Sequence, residues 1–92
     1  FRERVHAMSD VWVGDEIVRV EADYLPDGRI QPTAFSWRGQ HRKVVGLGRQ
    51  WEEADGRHML IIVPDGSRFE LCLASDQSGW RLRRAWQRPY LA

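Results

Sequence analysis

The chain has 92 residues and a mass of 10.8 kDa, is 42% apolar and 29% charged, and carries a formal net charge of +1. That length suits one small domain. The composition excludes a disordered tail, a polybasic nucleic-acid arm and a membrane helix, for which no run approaches the ~20 apolar residues required. Thirteen of the 14 cations are arginine, with Lys43 the one lysine, and five Trp, three Phe and two Tyr supply large apolar areas for a compact core.

In chain order, residues 1–10 read as a flexible N-terminal extension in which Met8 offers an internal start. Residues 11–88 read as a single β-domain and 89–92 as a C-terminal tail. Evenly spaced turn signals divide the domain: Pro26-Asp27-Gly28, Arg38-Gly39, Asp55-Gly56, Pro64-Asp65-Gly66 and Ser78-Gly79. Between them the hydrophobic period is two. Val18, Val20, Ala22 and Tyr24 alternate with Arg19, Glu21 and Asp23, and Phe35 and Trp37 flank Ser36. His41 to Glu53, with Val44, Val45, Leu47 and Trp51, reads as one long bent strand kinked at Gly46 or Gly48. The only helical candidate, Gln50–Ala54, is at most a turn.

Met59–Val63 is apolar on both faces, as in a strand covered on both sides. Phe69, Leu71 and Leu73 alternate with Arg68, Glu70 and Cys72, and Trp80 and Leu82 with Arg81 and Arg83. The expected core is Val18, Val20, Phe35, Trp37, Val45, Ile61, Phe69, Leu71, Leu73, Trp80 and Leu82. Six short strands joined by tight turns predict an all-β fold, a small antiparallel meander curled into a half-open, SH3-like barrel that hides its edges. An α+β roll is the alternative.

Nothing in the sequence points to catalysis. His6, His41 and His58 lie far apart and form no metal-ligand spacing with one another, and Cys72 does not complete a zinc box. Gly46-Leu47-Gly48 lacks the Lys and helix of a phosphate loop, and no serine sits in a nucleophile elbow. Neither metal nor cofactor is expected. A single cysteine forbids an internal disulfide, which together with the absence of an apolar leader points to the cytoplasm.

The charges are segregated. Residues 1–28 hold three Arg and seven acids, whereas 29–51 hold five cations and no acid, and 77–92 hold four Arg and no acid. If the second and last strands lie close, Arg38, Arg42, Lys43, Arg81 and Arg83 pool into one basic surface, with Trp12, Trp51 or Trp86 at its rim. Arginine beside exposed aromatic rings suits single-stranded nucleic acid, since charge follows phosphates and rings stack on bases. The same residue types favour a protein-interaction or homodimer face.

The segment Pro32-Thr33-Ala34-Phe35-Ser36-Trp37-Arg38-Gly39 carries the string P-x-x-F-x-W-R-G. With Val44-Val45, Trp51, Arg68-Phe69-Glu70-Leu71, Trp80-Arg81-Leu82 and Trp86, it resembles a family of small bacterial domains of unknown function. Members occur alone or at the C-terminus of proteins related to Y-family, translesion-type DNA polymerases, including the catalytically inactive mutasome subunit. The resemblance spans Glu16 to Trp86 and rests mainly on F-x-W-R-G. It implies an accessory role near DNA repair and no catalytic residues. Members often carry a paired Trp soon after the position of Trp51, where this chain reads Glu52-Glu53-Ala54-Asp55-Gly56-Arg57-His58. Within the motif, Phe35 and Trp37 should enter the core while Arg38-Gly39 bends the hairpin and Arg38 packs over an indole.

Overall fold

A computed structural model describes residues 11–87; the expected extension at 1–10 and tail at 89–92 lie outside the described residues. Seven strands are present: β1 (Trp12–Tyr24), β2 (Ile30–Trp37), β3 (Gln40–Lys43), β4 (Gly46–Glu53), β5 (Gly56–Ile62), β6 (Arg68–Ala74) and β7 (Trp80–Trp86). They form one sheet in the order β3-β2-β1-β7-β6-β5-β4, antiparallel throughout. No helix occurs among the described residues, so none is long and apolar enough to cross a membrane. The molecule is a curled antiparallel half-barrel, as the alternation predicts, and the α+β roll is set aside.

The strand number differs from the expected six because the long strand over 41–53 is two strands. At Val44-Val45 the chain changes partners. Val44 N–H donates to Thr33 O on β2, and the next residue, Val45, donates to Ile62 O on β5. Gly46 and Leu47 then pair with Ile62 and Ile61, and a register shift between Leu47 and Gln50 bends β4 around Gly48. This corner also corrects the core. Val45, expected inside, is 63% exposed, while its neighbour Val44 packs against the core. Gln50, expected at the start of a helical turn, lies in β4, and its side-chain amide donates to Ile30 O across the seam between the two ends of the sheet.

The concave face holds Val18, Phe35, Trp37, Met59, Ile61, Phe69, Leu71, Leu73, Trp80 and Leu82, all buried, with Val20 partly so. Phe69 lies at its centre, 4.9 Å from the Phe35 ring and 6.0 Å from Trp37, both edge-on. The Arg38-Gly39 bend has positive φ at both residues (52° and 78°), the requirement of a two-residue hairpin turn that follows sheet twist. Gly56 opens β5 at φ 145°, where an added Cβ would collide with the Leu73 carbonyl. Two outcomes follow for urea unfolding. Phe69→Ala should cost about 3–5 kcal/mol through the cavity it leaves. Gly56→Ala should also destabilise, since backbone rather than a side chain must move aside.

Candidate functional site

The outer, convex face is not a plain solvated surface. In the sheet register Trp51 (β4), His58 (β5), Cys72 (β6) and Arg81 (β7) form one cross-strand row on that face, and Leu60, Glu70 and Arg84 form the next. β6 is therefore buried on both sides from Phe69 to Leu73, including Glu70 and Cys72, which alternation alone would send into water.

Beneath this covering lies a polar network centred on His58, whose side chain is 3% exposed. Its Nδ1 stands 2.7 Å from Glu70 Oε2 and its Nε2 2.7 Å from Asp55 Oδ1, with Glu53 Oε1 3.8 Å away. Asp55 Oδ2 accepts from Arg83 at 2.6 Å, and Glu70 Oε1 faces Arg84 Nε at 3.6 Å. Arg83 also donates to Gly14 O on β1. The Trp51 indole stacks on the imidazole at 5.4 Å and 19°, and its Nε1 donates to Glu53.

Burial works against charge on His58, but hydrogen bonds to Asp55 and then Glu70 outweigh it and raise the histidine above its ordinary value. The imidazolium is the form that donates to both carboxylates. Its hydrogen bond in turn holds the Asp55 carboxyl below the usual range, with Arg83 adding to the effect. Burial, with Asp55 nearby, pushes the Cys72 thiol up to about 11.

Above the network is an open hollow of about 370 Å³. Its floor includes His58, Leu60 and Glu70; Trp51 and Trp86 border it together with Arg49, Arg83, Arg84 and Val13. Arg49 lies with its guanidinium 5.0 Å above the Trp51 ring. A second hollow of about 300 Å³, between the Tyr24–Ile30 turn and Leu73–Gln77, holds one ion pair, Arg57–Glu52, and no comparable cluster.

Of the eight residues singled out in sequence, the hollow gathers three, Arg83, Trp51 and Trp86, while Trp12 packs 5.2 Å from the Trp37 ring at the core. Arg81 sits in the adjoining row and pairs with Asp15 at 3.4 Å. The others do not join a common surface, because β1 stands between β2 and β7. Arg38 is taken up by the fold. Its guanidinium lies 4.7 Å above the Trp37 ring and 5.6 Å from Trp12, and it grips Glu16 with Nη2 at 2.8 Å. Trp37 Nε1 donates to the same carboxylate at 2.7 Å. The W-R pair of the motif is thus a clamp on Glu16. Arg42 shares the inward side of the β2–β3 hairpin with Phe35, and its guanidinium lies 5.3 Å above the Phe69 ring. Lys43 is exposed on β3.

Arg49, Arg84 and the His58 network were not expected at the site. Arg84 sits one position past an expected strand, and a register shift between Glu70 and Leu71 turns it outward. Searches against protein-family models, curated proteins and solved structures return no significant match to this chain.

His58→Gln removes the close cationic partner of buried Glu70, leaving only the longer contact to Arg84, and should cost up to about 3–5 kcal/mol of stability. Because the histidine is raised on folding, its contribution is full below its unfolded value of 6.5 and fades as pH climbs through the raised folded value. Urea midpoints in chelator-containing buffer should therefore fall in the parent chain as pH rises from below 6.5 through neutrality, short of the range in which the unfolded Cys72 thiol ionises. The same series in His58→Gln should be nearly flat.

Proposed function

We propose that the chain is a non-enzymatic, SH3-like accessory module that holds single-stranded nucleic acid across the outer hollow. The observation that carries this reading is the placement of Trp51 and Trp86 around one hollow, with Arg49, Arg83 and Arg84 between and beside them. Rings offer stacking platforms to bases whatever their identity, and exposed guanidinium groups follow the phosphates. Arg49 and Arg84 are exposed, whereas Arg83 is half-buried and tied to Asp55, which orients it. The resemblance of the F-x-W-R-G segment to small bacterial domains found beside translesion-type polymerases supports a cytoplasmic role near DNA repair.

A second reading, self-association, is favoured by one observation. Val13 and Ile17 on the outer side of β1 are 68% and 77% exposed. A homodimer built on them would dissociate in Ile17→Asp during sedimentation, and a monomeric parent chain would end that reading.

The nucleic-acid reading is tested by fluorescence anisotropy with labelled oligo-dT and oligo-U at low ionic strength. Trp51→Ala and Trp86→Ala should each weaken binding by about 1–3 kcal/mol. Arg84→Glu should weaken it as well and reduce the slope of log affinity against log salt by about 0.7 for each phosphate the variant no longer neutralises. Absence of salt-sensitive binding in the parent chain would overturn the reading.

A further inference from the structure

Beside His58, which lines the hollow, the fold joins three different kinds of donor atom. His58 and Cys72 are direct cross-strand partners of β5 and β6 on the outer face, and Asp55 sits in the turn that enters β5. The donor-bearing atoms of these three residues all lie within 4.8 Å of one another. An imidazole nitrogen, a thiolate and a carboxylate together form a donor set that suits zinc-like divalent cations. Nothing in the linear spacing shows it, because Asp55-x-x-His58 and Cys72 meet only through the hairpin register.

A separate observation points the same way. Histidines that bind metals nearly always donate their other ring N–H to a carboxylate, a carbonyl or water, which fixes the tautomer and aims the ligating nitrogen. Glu70 plays that part here. Its side chain is 9% exposed and stands 2.7 Å from Nδ1, leaving Nε2 directed at Asp55 with Glu53 just beyond. Arg83 holds Asp55 by its second oxygen, Oδ2, so that Oδ1 is held by His58 Nε2 alone, in a hydrogen bond that a cation bound to both atoms would replace. The Asp55 side chain is 47% exposed, which gives a cation a path from solvent.

We propose that Asp55 Oδ1, His58 Nε2 and Cys72 Sγ form a site for a zinc-like divalent cation, with Glu53 or water as fourth ligand. Binding exchanges one dication for two protons, one from Nε2 of the imidazolium and one from Sγ. Both protons leave to solvent, no electrons move, and the net charge of the site is unchanged. The Nδ1–H bond to Glu70 persists. The proposal does not rest on the nucleic-acid reading, although Trp51 stacks on His58 and Arg83 holds Asp55, so the two sites share neighbours.

The test uses the full chain, stripped with chelator and titrated with Co²⁺. The expected result is one ion per chain, with a thiolate-to-cobalt charge-transfer band in the near ultraviolet and visible d–d bands that Zn²⁺ abolishes by displacement. Zn²⁺ calorimetry at about pH 6, below the ordinary histidine value, in buffers of differing ionisation enthalpy should report about two protons released per ion. Cys72→Ser should remove the charge-transfer band, Glu70→Gln should weaken binding about 10- to 100-fold, and His41→Gln should change nothing. Circular dichroism establishes that each variant is folded, and where one is not, the parent spectrum alone decides. No Co²⁺ binding, a spectrum without the thiolate band, or undiminished affinity in folded Cys72→Ser would overturn the proposal.

Discussion

The two-residue link between β3 and β4 governs the architecture. These strands stand at opposite ends of the sheet order, yet only Val44 and Val45 separate them in sequence. Seven strands laid flat would hold the outermost pair about 29 Å apart. The link from Lys43 to Gly46 reaches at most about 11 Å. The sheet therefore has to curl, and the carbonyls of Thr33 and Ile62 receive the two amides of the link, one from each end of the sheet. Curling gathers Phe35, Trp37 and Phe69 into one aromatic interior. It also sets β5, β6 and β7 side by side on the convex outside, where the His58 network forms.

That outer network is costly to build. Two carboxylates, an imidazole and a guanidinium are withdrawn wholly or partly from water, and each such group must find a partner to offset its lost hydration. The partners come from four separate places: Asp55 in a turn, His58 on β5, Glu70 on β6 and Arg83 on β7. Glu16 does comparable work at the interior end, where a single carboxylate receives both the Trp37 indole N–H and the Arg38 guanidinium. These hydrogen bonds hold Glu16 below the usual carboxylate range, with Arg38 the larger cause.

Much of the fold was legible because a half-barrel writes alternation directly into sequence. Phe35 and Trp37, Phe69, Leu71 and Leu73, and Trp80 and Leu82 all face inward as their spacing indicates. Val45 misled because hydrophobicity does not mark a corner where one strand changes partners. The pooled basic face misled because alternation gives the side of a strand but not its neighbours. With β1 between β2 and β7, Arg38 and Arg42 turn to aromatic rings at the interior while Arg81 and Arg83 remain outside. The His58 network was beyond the reach of local pattern. It depends on register, which brings together residues 12 and 14 positions apart, and no periodicity distinguishes Glu70 from a solvated strand glutamate.

The shortness of β3 leaves part of the barrel wall without a ladder. Its four residues pair only with Ala34–Trp37, so the first half of β2 has no strand beside it on the seam side. Across that gap the Gln50 side chain bonds Ile30 O, and Arg57 reaches Gly28 O from the neighbouring strand. Side-chain bridges of this kind release at far lower free energy than a backbone ladder. The wall of the barrel is thus unequal, with continuous ladders from β2 through β4 by way of β7 and one stitched seam. On one side of the seam β4 carries Trp51, and β7, which carries Trp86, is joined to it only through the ladders of β5 and β6. The spacing of the two indoles is therefore set by the curl of three consecutive ladders, which the Gln50 and Arg57 bridges across the seam help to fix.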